Sequence, residues 1–392
     1  MRILLVTETL AIGGAETFVL RLARQLRRDG HKADVLCLNA DLEDPLLVGQ
    51  FPDLTIHRVP RSGLRTVKRL DRVANLGKLD LDFQQRRAAR WVERNLIGRY
   101  DVHHTHLFGA DWLFTRLKRR HPAMKIVATL HGDYLQYEAR GSETERTHMI
   151  RWRQKLTEVL RSVDHWVTIS PVQQHQFASL YGVDPARMTD IPNGYAPPSP
   201  ICLATPLAPV QGETKFIMVA RGIREKGWGF LVDAFNRLTG ECSLQLVGAG
   251  EYLNGLRDKH GDNPRITFAG LHGNPVELIA GADVFVHPSF YKAESLPTVI
   301  VEALFVGRPV IATRVGNVAT MISTASGEAA GLLISPDQAT LEDQLVAAMQ
   351  SYIDDRSLLD RHAALAPAAF AKFDMATCAA VYARLYERVV GA

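Results

Sequence analysis

Met1-Arg2-Ile3-Leu4-Leu5-Val6-Thr7, then Gly13-Gly14-Ala15-Glu16 and a helical run of apolar residues at Phe18, Leu22 and Leu26, decides the fold. The short apolar run predicts a buried strand. The spacing of four predicts one face of a helix, which Gly30 stops. Ala33-Asp34-Val35-Leu36-Cys37-Leu38 predicts the next strand. The same signal returns at Leu54–Val59, Asp101–His106, Lys125–Leu130 and His165–Ile169, with amphipathic stretches between. Strands alternating with helices imply a parallel sheet covered on both faces.

The stretch from Ala196-Pro197-Pro198-Ser199-Pro200 to Gln211-Gly212 is rich in proline and small residues and predicts a linker. Beyond it the alternation restarts, with strands expected at Phe216–Ala220, Ser243–Val247, Arg265–Ala269, Val284–His287, Val310–Thr313 and Leu332–Ile334. The fold class is therefore α/β, with two Rossmann-like parallel-sheet domains in tandem. Ligands of such sheets bind beyond the carboxyl ends of the strands, so chemistry is sought in the loops that follow them.

The chain has 392 residues, 46% hydrophobic and 22% charged, the range of a folded globular protein rather than a disordered or fibrous one. No run of about 18 apolar residues predicts a spanning helix, and the short first strand is not a secretory signal. Cys37, Cys202, Cys242 and Cys378 lie far apart, without metal or disulfide spacing, which fits a reducing cytoplasm. Net charge is +4, but residues 1–200 hold 30 Lys+Arg against 22 Asp+Glu and the remainder is net acidic. A basic half suits nucleic acid, anionic lipid or a phosphorylated substrate, or is simply a solvated face.

Glu294-Ser295-Leu296-Pro297-Thr298-Val299-Ile300-Val301-Glu302 is the most informative segment. Pro297 fits the start of a helix. The helix beyond it is apolar nearly all round, so it predicts burial. A carboxylate inside it, Glu302, needs hydrogen bonds or a partner. Two adjacent hydroxyls, as on a ribose, would satisfy both of its oxygens; a structural ion pair is the alternative. In Arg221-Gly222-Ile223-Arg224-Glu225-Lys226-Gly227 a guanidinium fork and a lysine converge from one loop, as a diphosphate requires. Gly13-Gly14 before a helix N-terminus lets the backbone approach an anion, or packs helix on strand. Gly248-Ala249-Gly250 also follows a strand, but Leu253 stands where a dinucleotide fingerprint needs its third glycine. His131 ends the strand Ile126–Leu130. His104 and His106 share one strand face, with no third metal ligand at matching spacing.

Together these segments resemble the family 4 glycosyltransferases, retaining enzymes of the GT-B fold. The resemblance rests on Gly13-Gly14-Ala15-Glu16, Asp101-Val102-His103-His104-Thr105-His106, Thr129-Leu130-His131-Gly132, Ile191-Pro192-Asn193-Gly194, Arg221 with Glu225-Lys226-Gly227, Gly248 with Gly250, Phe268-Ala269-Gly270, the Glu294/Glu302 pair, and Gly307-Arg308-Pro309-Val310-Ile311-Ala312-Thr313. It implies an acceptor-side domain over 1–198 and a nucleotide-sugar domain over 199–374, facing across a cleft. The final helix, 375–392, would cross back onto the first domain. It implies Arg221 and Lys226 on the diphosphate, Glu302 on the ribose, and Glu294 on the transferred sugar with backbone groups of Ser295, Leu296 and Pro297. Gly13 and Gly14 would approach the phosphates, with Gly250 beside the nucleotide, Phe268 to Leu271 along the base, and His131 beside the sugar. The catalytic set is then Arg221, Lys226, His131 and Glu294, with no cofactor and no metal.

The expected partners are a nucleotide-diphosphate-sugar, a saccharide or lipid-linked acceptor and an anionic membrane surface, with no nucleic acid. The implied setting is cell-surface polysaccharide or glycoconjugate synthesis in the cytoplasm, peripheral on the inner membrane face. Leu64, Val67, Leu70 and Val73 interleaved with Arg65, Lys68, Arg69 and Arg72 predict an interfacial helix for that docking. Competing readings are a nucleotide-sugar epimerase or sugar phosphorylase on the same architecture, or a non-catalytic sugar-binding relative. Two departures fall near the sugar: Ser295 stands where many members have glycine, and Gly316 is followed by Asn317 rather than a second glycine.

Overall fold

The computed structural model describes residues 1–11, 13–60, 83–132, 146–197, 212–291 and 294–392, the side chains of 146–151 aside. The chain divides into two compact units. One is Met1–Pro198 together with Met375–Ala392; the other is Ser199–Asp374.

The first unit holds a seven-stranded sheet of order β3-β2-β1-β4-β5-β6-β7. Its strands are β1 (Arg2–Thr7), β2 (Lys32–Cys37), β3 (Ile56–Arg58), β4 (Val102–His106), β5 (Ile126–Thr129), β6 (His165–Thr168) and β7 (Met188–Asp190). The second holds six strands in the order β10-β9-β8-β11-β12-β13. They are β8 (Thr214–Val219), β9 (Cys242–Val247), β10 (Ile266–Gly270), β11 (Val284–His287), β12 (Val310–Thr313) and β13 (Gly331–Ile334). Every strand pair is parallel. Both sheets run outward in two directions from their first strand. The order therefore reverses beside β1/β4 and β8/β11, the position where doubly wound sheets open a crevice for ligands.

Sequence periodicity explains the layers. In β1, Ile3 and Leu5 join one core cluster, with Phe18, Leu22 and Leu26 of the helix Gly14–Arg28. Leu4 and Val6 join another, on the opposite face, with Leu113, Phe114 and Leu117 of the helix Phe108–Lys118. Alternate residues of a strand face opposite sides, so a strand buried on both faces is apolar throughout. The last helix, Met375–Gly391, belongs to the first unit and buries Met375, Cys378, Tyr382, Leu385 and Tyr386 against the Gly14–Arg28 side. Each large apolar side chain so buried contributes about 1.5–3 kcal/mol.

One expected strand shortens, and one strand was not expected. Leu54–Val59 contracts to three residues, because β3 is the sheet edge and pairs on one side only. The edge strand β7 carries no apolar run; its Met188-Thr189-Asp190 is held as a strand by pairing with β6. The linker between 198 and 211 and the segment Arg61–Arg72 lie outside the described residues.

Candidate active site

In the second unit, the loops after β8 and β11 bring Lys226 and Glu294 together. Lys226 sits at the end of a single 3-10 turn, Arg224–Lys226, and is buried. Gly227 follows with φ 83, and a side chain there would run into the Pro288 carbonyl. Only glycine lets the Lys226 loop lie against the end of β11 in this way. The Lys226 ammonium donates to Glu294 Oε2. Ser289 Oγ donates to the same oxygen at 3.0 Å. His287 Nε2 lies 3.4 Å from it, without hydrogen-bond alignment. Burial pushes the Glu294 carboxyl up, but His287 and Lys226 outweigh it and bring the group down to about 2. Glu294 is therefore a carboxylate at neutral pH, an acceptor for hydroxyl donors.

Arg221 lies beyond the end of β8 and is exposed, its guanidinium 5.9 Å from the Tyr291 ring centre. The Lys226 ammonium is 5.3 Å from the same ring. The Trp228 indole donates to the Arg221 carbonyl at 2.9 Å, and the Gly222 N–H bonds Ala249 at 2.8 Å. These bonds tie the Arg221 loop to the Gly248-Ala249-Gly250 turn. Gly250 stands immediately before the helix Glu251–His260. Glu302 is buried in the helix Thr298–Phe305, between Val301 and Ala303. Pro297 is that helix's N-cap rather than a residue of its first turn. Ser295 accepts from the Asn317 N–H at 3.1 Å, so Asn317 braces the Glu294 loop through its backbone. Leu296 and Pro297 are buried, Phe268 is half-buried, and Leu271 is 81% exposed.

The first unit gathers a different set. Gly13 is the N-cap of Gly14–Arg28. His106 Nδ1 and His131 Nε2 are 2.8 Å apart with stacked rings. Asn193 Nδ2 is 3.5 Å from His131 Nδ1. His104 bonds Thr129 Oγ1 at 2.7 Å and the Tyr386 hydroxyl at 2.7 Å, and Tyr382 bonds Thr129 at 3.0 Å. The last helix thus contributes two phenols to the floor beneath His131. Burial pushes His131 down to about 4 and holds His104 and His106 well below the usual imidazole range. His104 and His106 are partnered by hydroxyls and an imidazole.

Sequence reasoning did not single out Ser289, His287, Tyr291 or Asn193 as site residues. Ser289 and His287 were visible as polar residues at the end of an apolar strand, a signal that could have found them. Asn193 became informative only through its approach to His131.

Two tandem parallel α/β units with polar clusters beyond their strand ends define a class of two-domain α/β proteins. The family model for Glycosyltransferase Family 4 matches residues 12–197, and that for Glycosyl transferases group 1 matches residues 213–355. The chain belongs to this family, the GT-B family 4 glycosyltransferases, and is a glycosyltransferase. It is 26% identical over 394 residues to the phosphatidyl-myo-inositol mannosyltransferase of Mycolicibacterium smegmatis, covering 97% of this chain and 91% of that protein. It is 25% identical over 346 residues to the D-inositol 3-phosphate glycosyltransferase of Nocardia farcinica, covering 82% and 73%. Among solved structures, Anabaena HepE in complex with UDP and glucose gives a TM-score of 0.73 at 20% identity, covering 99% and 100%. Sucrose-phosphate synthase from Thermosynechococcus elongatus gives 0.72 at 21%, covering 100% and 99%. Among the described residues no helix is long and apolar enough to cross a membrane.

Proposed function

We propose that the chain moves a sugar, with retention of anomeric configuration, from a nucleotide-diphosphate-sugar to a saccharide or lipid-linked saccharide. The observation that carries this reading is the Lys226–Glu294 pair beside exposed Arg221, at the carboxyl ends of β8 and β11. Breaking the sugar–phosphate bond builds negative charge on the departing diphosphate and positive charge on the sugar ring. Arg221 and Lys226 offset the first, and Glu294, held ionised, accepts from sugar hydroxyls. Glu302 meets the vicinal hydroxyls of the ribose. The acceptor hydroxyl attacks from the side the diphosphate leaves, and a donor phosphate oxygen takes its proton. With two side-chain cations at the diphosphate, the reaction proceeds without a divalent metal. HepE, solved with UDP and glucose, supports the donor class.

The test is a thermal-shift screen of nucleotide-sugars, since a ligand specific for the native state raises its stability. Hits then enter transfer assays with and without excess chelator. A stabilising nucleotide-sugar whose sugar is transferred in chelator supports the reading. Strict dependence on a divalent ion defeats the metal-free mechanism. Release of product without acceptor, or only with added phosphate, favours an epimerase or a phosphorylase.

The setting proposed is the cytoplasmic membrane face, in glycoconjugate or polysaccharide synthesis. Lys118, Arg119, Arg161 and Arg187, with Asp164, line an open groove of about 470 Å³ in the first unit. Lys118 pairs with Asp164 and Arg119 with Glu158, and the net positive lining that remains supports an anionic surface as partner. Co-sedimentation with anionic liposomes at low salt, lost at high salt, tests this; protein left in the supernatant defeats it.

A further inference from the structure

His287 is the last residue of β11 and is 1% exposed. Its ring stacks with that of Phe285, two residues back on the same face of the strand, at 6.4 Å and 15°. Thr313 Oγ1 donates to its carbonyl at 3.4 Å, which ties the strand end to β12. Neither ring nitrogen has a hydrogen-bond partner among the described residues. A buried imidazole with both nitrogens unpaired is costly, and such groups collect where function sets the arrangement.

His287 Nε2 lies 3.4 Å from Glu294 Oε2. That one oxygen takes the Lys226 ammonium and, at 3.0 Å, the Ser289 hydroxyl. Nε2 stands beside the two donors, too poorly aligned to bond.

In the transfer proposed above, Lys226 meets the diphosphate. An ammonium paired with a buried carboxylate offers a phosphate less charge, so donor binding draws it away from Glu294. The carboxylate then keeps Ser289, whose hydroxyl has a single proton. A buried carboxylate stripped of its cation is strongly destabilised unless another donor replaces it. His287, already beside that oxygen, is placed to do so. Its Nε2–H tautomer donates without any change of protonation.

We propose that His287 is a positioning residue for Glu294: when a nucleotide-sugar draws Lys226 to its diphosphate, His287 Nε2–H takes over the vacated bond and keeps the carboxylate aimed at the sugar. The inference rests on the reading of the chain as a sugar transferase, and it adds to that reading a residue and an exchange of partners.

The exchange is read by NMR on the full chain labelled with nitrogen-15 histidine. Of the 14 histidines, the one whose signal is missing from His287→Gln is His287. Burial slows exchange of its ring proton with water, so that proton is observable. The probes are UDP-glucose, UDP-galactose, UDP-N-acetylglucosamine and GDP-mannose. A probe that binds should move the His287 Nε2 proton downfield, as a hydrogen bond to a carboxylate does. Lys226→Met empties the place on Oε2 without any ligand and should move it the same way. Kinetics with the probe that is transferred read the consequence. His287→Leu fills the volume without a nitrogen and should lower kcat about tenfold, the loss of one hydrogen bond, with the nucleotide-sugar KM within about twofold of the parent. His287→Gln returns an N–H near the Nε2 position and should recover most of that kcat. A His287 signal that stays in place both on probe binding and in Lys226→Met overturns the proposal. Equal loss in the two His287 variants, or no loss in either, overturns it as well. The two readings fail separately. If no probe binds or is transferred, yet Lys226→Met moves the signal, the exchange of partners stands and the transferase reading falls. If sugar is transferred while the signal stays in place, the reverse holds.

Discussion

The two sheets present opposite chemistries at the carboxyl ends of neighbouring central strands. Beyond β8 and β11 the second unit keeps charge: Lys226 and Glu294 are paired, with His287 against the carboxylate and Arg221 exposed beside them. Beyond β4 and β5 the first unit keeps neutral groups: His104, His106 and His131, joined to Thr129, Tyr382 and Tyr386. On the mechanism proposed above, the first cluster meets charge that develops on a leaving group. The other orients hydrogen bonds without adding charge. A shared strand order thus supports two tasks, and the side chains ending the strands decide which.

Acid should separate the two units most strongly. Burial pushes His103, His131 and His165 down to about 4, and His104 and His106 well below the usual value. The unfolded chain protonates these imidazoles near 6.5, and the native state resists. Their contribution is therefore complete above 6.5 and is lost as pH falls from there toward 4. Each unit of displacement is worth about 1.4 kcal/mol, so His103 alone, 3% exposed, contributes on the order of 3 kcal/mol. Asp190, raised to about 6 by burial, and Glu8, also raised by burial, act in the opposite direction but are two groups against five. In the second unit the depressed Glu294 contributes above its ordinary 4.5 and is lost between there and about 2. His362 is its one imidazole with a depressed value among the described residues. Hydrogen exchange should show Val102–His106 losing protection between pH 6.5 and 4 while Val284–His287 is retained. Equal loss in both sheets over that window would erase the comparison.

The charged cluster is tested by rate. Arg221→Ala and Lys226→Ala should each lower the chemical step by at least about 100-fold, the scale of one lost transition-state contact. Arg221 is exposed, so its variant should fold as the parent does; Lys226→Ala also leaves Glu294 without its ammonium. Single-turnover rates within a few-fold of the parent would remove the leaving-group role. A smaller effect is expected one helix away. Glu302→Gln should fold and weaken binding of the nucleotide-sugar found by the thermal-shift screen by about 1.5–3 kcal/mol, the worth of hydrogen bonds to a charged group. Calorimetry showing unchanged affinity for that nucleotide-sugar would return Glu302 to a structural role.

The comparison also shows what the sequence could reveal. Apolar runs ending in glycine turns made the strand order's raw material legible, since β11 and β12 coincide with Val284–His287 and Val310–Thr313. Edge strands were less legible because partner strands, not composition, hold them. Arg221, Lys226, Glu294 and Glu302 stood out as polar groups where burial or a strand end makes polarity costly. That Lys226 and Glu294 bind each other was not legible: they are 68 residues apart, and Gly227 and the end of β11 bring them together. The histidine network was half legible. His104 and His106 share a strand face, but Tyr382 and Tyr386 reach them from the far end of the chain.

The smallest expected effect concerns the neutral cluster, and it tests orientation rather than charge. His131 can offer a substrate a defined proton only if its tautomer is fixed, and its Nε2 faces His106 Nδ1 at 2.8 Å. One of those two nitrogens carries the proton and the other accepts it, so His106 selects the form His131 takes. An asparagine at 106 places its amide close to where Nδ1 lies and can still donate or accept; a phenylalanine fills the volume and can do neither. His106→Phe should therefore lower kcat by about tenfold, the worth of one neutral hydrogen bond, with nucleotide-sugar affinity unchanged, and His106→Asn should recover most of that loss. The nitrogen NMR signals of His131 should move from a single tautomer toward a mixture in the phenylalanine variant and return toward the parent pattern with asparagine. If both variants lose activity equally and the His131 signals stay as in the parent, His106 serves packing alone, and the neutral cluster reduces to core.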